Sequence, residues 1–193
     1  KYLPRFAKGQ ISAFALTEPD VGSDPAKMST QAVPTDDGNY YILNGDKLWC
    51  TNGPKADVMV VMAQTPPKMV KGREKKQITA FIVETGWKGV ETVHRCRFMG
   101  LHGIQNGLIR FKDVRVPKEN LLLGVGQGLR LALITLNTGR LTMPAAVTAG
   151  AKWSLSVTRK WANERVQWGS PIGHHEAIAA KIAQMTSTTF AME

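Results

Sequence analysis

Residues 40–53 read Tyr40-Tyr41-Ile42-Leu43-Asn44-Gly45-Asp46-Lys47-Leu48-Trp49-Cys50-Thr51-Asn52-Gly53. Two runs of strand formers flank Asn-Gly, the dipeptide that supplies the two positive φ values of a type I′ turn. The stretch therefore predicts a hairpin with Tyr40–Leu43 and Lys47–Thr51 as its arms. In that register Leu43 faces Asp46, Tyr41 faces Leu48 and Tyr40 faces Trp49. Period-two alternation then sets Trp49 and Thr51 on one face with Tyr40 and Ile42. An indole and a hydroxyl spaced this way grip a flat heterocycle. A cross-strand aromatic pair inside a core is the other reading of the same residues.

Upstream, Ile11-Ser12-Ala13-Phe14-Ala15-Leu16-Thr17 is a short apolar strand that runs into Glu18-Pro19-Asp20-Val21-Gly22-Ser23-Asp24-Pro25. The two prolines stiffen the turn, Gly22 permits close backbone approach, and the amides and hydroxyl at Gly22-Ser23 suit a concave nest for phosphate oxygens. Further strands are expected over 29–33, 58–64, 78–84, 89–94 and 108–116, with Gly, Pro, Asn or Asp at the breaks. Short strands at this spacing argue for an antiparallel barrel or sandwich. The basic run Lys68–Lys76 also holds Gly72 and follows Pro66-Pro67, and it reads as a solvated hairpin loop.

From Gly128 the code becomes helical: Leu129, Ala132, Leu133 and Leu136, then Ala145, Val147, Ala149, Trp153, Val157, Trp161 and Val166 recur at helical intervals. Gly169-Ser170-Pro171-Ile172-Gly173 breaks the pattern before a second helix from about His175. Helices of this length need partners for their apolar faces. That need, the apolar Tyr2, Leu3 and Phe6 at the start, and a second helix still running at Glu193 lead us to expect that this is a portion of a longer protein.

The chain has 193 residues, a net charge of +10 and two cysteines. Cys50 and Cys96 form no disulfide framework and have no Cys or His at ligand spacing, which fits free thiols in a reducing compartment. No metal site follows. His174-His175-Glu176 lacks the second His of a zinc-protease helix, and Gly124-Val125-Gly126-Gln127-Gly128 misses the dinucleotide-fingerprint spacing and reads as a linker and helix start. The positive charge suits phosphate-bearing partners. The chain lacks zinc-finger spacing and a basic helix with interleaved aromatics, which argues against nucleic acid. No secretory signal or membrane-spanning run is evident, since Asn137, Arg140 and Pro144 interrupt residues 131–147.

Taken together, Thr17-Glu18-Pro19, Gly22-Ser23-Asp24, and Asn44-Gly45 leading to Trp49, Thr51, Asn52 and Gly53 resemble the acyl-CoA dehydrogenases, and within them the very-long-chain branch. The resemblance continues through Gln77–Glu84, Met99-Gly100-Leu101-His102-Gly103, Phe111–Pro117, Gly139-Arg140 and Glu164-Arg165-Val166-Gln167-Trp168-Gly169, where the family usually has Phe at the position of Trp168. It implies an α+β protein: residues 1–10 end a helical N-terminal domain, 11–117 form a β middle domain with the flavin site, 118–127 a linker, and 128–193 the first two helices of a C-terminal helical bundle.

The resemblance also implies FAD as cofactor. Phe14, Leu16, Thr17, Gly22, Ser23, Trp49 and Thr51 would line it, and Arg165, Gln167 and Trp168 would reach the FAD of a neighbouring subunit. Ser23, Asn137 and Arg140 would contact acyl-CoA, with Asn137 standing where some relatives have Asp. The implied reaction is α,β-dehydrogenation of long or bulky fatty acyl thioesters. An electron-transfer flavoprotein or similar acceptor would be the partner, the assembly a homodimer or homotetramer, and the compartment the bacterial cytoplasm or mitochondrial matrix. An acyl-CoA oxidase or flavin monooxygenase on the same scaffold, and a non-catalytic assembly relative, are the alternatives.

The reaction needs a carboxylate base. Some relatives carry a Glu immediately before the helix Arg, where this chain has Gly139; in the larger group the Glu lies in a later loop, which would fall beyond Glu193. Glu18, Glu164 and Glu176 read instead as turn, helix-end and helix-start residues.

Overall fold

Val58-Met59-Val60-Val61-Met62-Ala63 is apolar at six successive positions, a pattern that suits a strand covered on both faces. In the computed structural model, which describes residues 1–193, it lies inside the sheet. A short helix α1 (Leu3–Phe6) precedes the strands β1 (Ser12–Ala15), β2 (Gln31–Pro34), β3 (Tyr40–Thr51), β4 (Val58–Val70), β5 (Arg73–Glu84), β6 (Val90–Arg95), β7 (Asn106–Pro117) and β8 (Leu121–Leu122). The long helix α2 (Gly128–Glu164), the strands β9 (Val166–Gln167) and β10 (Ser170–Pro171), and the helix α3 (Glu176–Met192) follow. Lys1–Leu133 and Ile134–Glu193 form two separate units.

The sheet runs β6-β7-β3-β2-β4-β5-β8, with β1 added beside β4. It is open and sandwich-like rather than a closed barrel. It is also mixed rather than antiparallel, because β1 and β2 both run parallel to β4. The cause is the long excursion after β1: the Thr17–Met28 loop replaces a hairpin, so β1 pairs with a strand more than forty residues downstream, Ala13 against Met59 and Ala15 against Val61. Met59, Val61 and Ala63 of β4 join Tyr41, Leu43, Phe81, Val83, Ile109, Phe111, Val114 and Val116 in the main core. Met62 turns to the other face, against Met28, Ile78, Ala80 and Ala132. Each large side chain so buried contributes about 1.5–3 kcal/mol.

The expected hairpin at Asn44-Gly45 does not form. Tyr40–Thr51 is one continuous strand held between β2 and β7, with Leu43 opposite Ala32 on one side and Val114 on the other. Ladders on both edges override the local turn preference, and the Asn-Gly chemistry is spent on a bulge instead, where the β3–β7 register shifts between Leu43 and Gly45. Asn44 Nδ2 donates to Asp113 Oδ1 at 3.1 Å and Asn44 Oδ1 accepts from the Asp113 amide at 2.8 Å, so the side chain bridges the bulge. Gly45 has φ +143°, and a Cβ there would lie 2.5 Å from Thr30 Oγ1 and 2.7 Å from Thr30 Cα. Gly45→Ala is therefore expected to cost about 2 kcal/mol. A urea-unfolding midpoint within error of wild type would contradict this bulge.

The basic run is an exposed hairpin, as expected, but its arms are strands rather than loop. Strands β4 and β5 continue past the sheet as an exposed ribbon, Lys68 opposite Lys75 and Val70 opposite Arg73, and Lys71-Gly72 carries the two positive φ values of the tight turn. Helix α2 is continuous over 37 residues despite Pro144. That proline has no N–H to return to the Arg140 carbonyl four residues earlier. Leu141, Met143, Val147, Trp153 and Trp161 are exposed along α2. No helix is long and apolar enough to cross a membrane.

Candidate functional site

At the end of β1 the chain leaves the sheet through a tight turn. Glu18 and Val21 exchange backbone hydrogen bonds, Glu18 N to Val21 O at 3.0 Å and Val21 N to Glu18 O at 3.2 Å. Gly22 and Ser23 follow on the surface, where a Cβ at Gly22 would meet nothing within 4 Å. Their amides and the Ser23 hydroxyl make no hydrogen bond within the chain, which leaves them as outward donors. Phe14 and Leu16 are half-buried and pack against the second core cluster. Half-buried Thr17 is tied to β3, its carbonyl accepting from the Leu48 amide at 2.9 Å.

On β3 a second register shift, between Lys47 and Cys50, reorders the face expected for this strand. Trp49 takes φ +57° inside the strand, an uncommon conformation for a bulky residue. Trp49 and Thr51 therefore flank buried Cys50 on the exposed side, but strict alternation with Tyr40 and Ile42 is broken by the two bulges. Trp49 keeps 54% of its surface exposed, with Phe98 beside it at a ring-centroid distance of 5.7 Å. Asn106 fixes the pair from below: its Nδ2 donates to the Trp49 carbonyl at 3.1 Å and to Thr51 Oγ1 at 2.9 Å. Because Thr51 Oγ1 accepts, its own hydrogen remains available to a group outside the strand. Burial pushes the Cys50 thiol up to about 11, which keeps it inert beside this surface.

Beneath these segments lies a buried ion pair. Lys47 and Glu18 have side chains 0% and 1% exposed, with Nζ 2.8 Å from Oε1. Lys47 Nζ also donates to the Leu16 carbonyl at 3.0 Å. Glu18 accepts from the Ser29 amide at 2.5 Å, the Ser29 hydroxyl at 2.7 Å and the Thr30 amide at 3.0 Å. Burial alone would push the Glu18 carboxyl up, but hydrogen bonds from Lys47, Thr30 and Ser29 outweigh it and hold it at about 2. Burial pulls the Lys47 amine down, against the opposing pull of Glu18. The Glu18 carboxyl is therefore ionised at neutral pH.

The sequence reading found the rim of this surface but missed Phe98, Asn106 and the Lys47–Glu18 pair. One signal was present: Lys47 shares parity with Tyr41 and Leu43, and a lysine on the buried face of a strand requires a carboxylate.

The remaining candidates lie in the second unit. Asn137 and Arg140 are exposed on α2, one turn apart, with Arg140 Nη1 3.3 Å from Asn137 Oδ1. Arg165 ends the helix, its amide bonded to the Trp161 carbonyl at 2.9 Å. Trp168 and Gly169 form the two-residue turn of the β9–β10 hairpin with φ +48° and +76°, which presents Trp168 almost wholly to solvent. His175 meets the Trp168 ring edge-on at 5.6 Å, and its Nε2 lies 3.0 Å from the Gln167 carbonyl. No group of three or more His, Cys, Asp or Glu side chains converges on a metal-sized site.

The family model of the acyl-CoA dehydrogenase middle domain matches residues 13–114, more than half of the chain. The chain belongs to the acyl-CoA dehydrogenase family. The model of the acyl-CoA dehydrogenase C-terminal domain matches residues 126–192. The probable acyl-CoA dehydrogenase FadE10 of Mycobacterium tuberculosis is 52% identical over 193 residues, covering all of this chain and 29% of its own length. The human mitochondrial very long-chain specific acyl-CoA dehydrogenase is 40% identical over 195 residues, covering all of this chain and 30% of its own. Among solved structures, an acyl-CoA dehydrogenase from Bacillus anthracis complexed with FAD superposes with a TM-score of 0.86 at 37% identity, over all of this chain and 32% of that one. The chain thus spans less than a third of the length of these relatives.

A ligand with a flat apolar ring at one end and phosphates at the other fits what the first unit exposes. Trp49 and Phe98 offer aromatic surface, Thr51 a free hydroxyl hydrogen, and Gly22-Ser23 unpartnered donors. The Thr17–Leu48 bond joins the two segments that carry them.

Proposed function

We propose that this chain forms the flavin-binding portion of an FAD-dependent acyl-CoA dehydrogenase that desaturates long or bulky fatty acyl thioesters between the α and β carbons. The observation that carries the reading is Trp49, held in a left-handed backbone conformation with more than half its surface open, in a strand bonded through Leu48 to Thr17 at the start of the segment that carries Gly22-Ser23. Trp49, with Thr51 donating beside it, orients the isoalloxazine. Leu16 and Thr17 border its pyrimidine edge, Phe14 backs this segment in the core, and Gly22 and Ser23 hold the pyrophosphate. When bound, FAD accepts the hydride that leaves the β carbon. Ser23, Asn137 and Arg140 contact the CoA portion of the substrate, and Arg165, Gln167 and Trp168 serve the cofactor of a neighbouring copy in a homodimer or homotetramer. Electrons pass on to an electron-transfer flavoprotein or similar acceptor. In domain terms, residues 1–10, 11–117, 118–127 and 128–193 are the end of a helical domain, the flavin domain, a linker and the start of a helical bundle.

Glu18, Glu164 and Glu176 do not suit the base. Glu18 is neutralised by Lys47 and held at about 2, too weak to take an α proton. Glu164 and Glu176 are exposed at helix ends, and Gly139 precedes Arg140. We place the base outside these 193 residues. The substrate assignment is tested by Arg140→Ala in the native protein, titrated with acyl-CoA. Acyl-CoA binding is expected to weaken by about 1.5–3 kcal/mol with FAD content unchanged. Unchanged affinity with loss of FAD would contradict this role for Arg140.

A further inference from the structure

We propose that the buried Lys47–Glu18 ion pair is a positioning device that sets the distance between the ring-gripping strand and the phosphate-binding loop of the flavin site. The inference rests on the reading of Trp49, Thr51, Gly22 and Ser23 as the FAD site. It extends that reading to two residues that touch neither end of the proposed ligand surface.

First, the Glu18 carboxylate closes a loop. Glu18 begins the excursion that carries Gly22 and Ser23, and its two oxygens accept from Ser29 N, Ser29 Oγ and Thr30 N at the other end of the same excursion. One carboxylate therefore pins both ends of the segment that presents the donors. Second, Lys47 couples that closed loop to β3. Its Nζ bonds Glu18 Oε1 and the Leu16 carbonyl, and Lys47 stands two residues before Trp49, with Leu48 tied to Thr17 between them. Third, stability alone does not account for such a pair. Taking two charges out of water costs as much as their attraction returns, and an apolar pair of similar volume commonly does as well. Neither an apolar side chain nor a lone carboxylate, however, would bond the Leu16 carbonyl, the Ser29 amide and the Thr30 amide at once. The pair specifies a geometry, and the geometry it specifies is the spacing of two ligand-facing segments.

The test uses the native protein and the double variant Lys47→Met/Glu18→Gln, which removes both charges, leaves no lone ion and keeps one acceptor oxygen, enough for the Ser29 donors or the Thr30 amide but not for both. FAD is the probe, followed by flavin fluorescence for affinity and by visible circular dichroism at saturation for the orientation of the ring. The double variant is expected to stay cooperatively folded in its apo form, to bind FAD at least roughly tenfold more weakly, and to show an altered visible dichroic band. Wild-type affinity and an unchanged band in the folded double variant would overturn the proposal while leaving the FAD reading intact. A wild-type protein that binds no FAD would overturn both. Should the double variant not fold, Ser29→Ala cuts one tie of the loop without touching the buried charges. It is expected to raise the FAD dissociation constant about threefold, and an unchanged constant would overturn the proposal.

Discussion

Lys47→Met alone will lower the unfolding free energy by about 3–5 kcal/mol at pH 7, the largest loss expected of a single substitution in this chain. The loss comes less from the missing bond than from what remains: the Glu18 carboxylate, 2% exposed, would keep its charge with no cation near it. A pH signature identifies this cause. In wild type the carboxyl is held at about 2, below its ordinary 4.5, so its contribution to stability is complete above pH 4.5 and disappears as the pH falls toward 2. In Lys47→Met the Ser29 and Thr30 hydrogen bonds alone oppose burial, so the carboxyl rises from its wild-type value and protonation relieves the variant as the pH falls. The gap between the two proteins should be widest near pH 7 and narrow below pH 4 in urea-unfolding curves. A gap independent of pH would assign the loss to packing around Met28 and Leu16 instead.

Trp49→Ala has a different profile. Because Trp49 is more than half exposed and outside both core clusters, its removal should change the stability of the apo protein by about 0.5 kcal/mol or less. FAD affinity, by contrast, should fall by about 2–4 kcal/mol, the range expected when an aromatic anchor at the centre of a contact is truncated. Flavin content of the purified variant and an FAD titration of the apo form measure the two effects separately. Retention of flavin at the wild-type level would remove Trp49 from the site.

How much of this was legible in the sequence follows from where local and tertiary preferences agree. The run Val58–Ala63 is apolar at every position and was read as a strand; it is one, buried on both faces. The switch to helix at Gly128 and the break at Gly169–Gly173 were marked by period and by Gly and Pro, and α2 and α3 lie there. Asn44-Gly45 failed as a hairpin signal because its propensity is compatible with two uses of a positive φ, and only the neighbours β2 and β7, distant in sequence, select the bulge. Lys71-Gly72 and Trp168-Gly169, without Asn, do form the tight hairpin turns with two positive φ values, and there no third strand intervenes. At the site, Trp49 and Thr51 were legible as types at a spacing, whereas Phe98 and Asn106 arrive from β7 and the segment before it, through pairings that no local pattern encodes.

We propose that Trp49, Thr51 and the Gly22-Ser23 loop serve a flavin that takes electrons from a fatty acyl thioester. Mixing the purified native protein anaerobically with a long-chain acyl-CoA, and following the visible flavin bands, tests it most directly. Oxidised flavin bands are expected at the outset and are expected to bleach on addition of the acyl-CoA. A protein that carries flavin and shows no bleaching, or that carries no flavin, would contradict it.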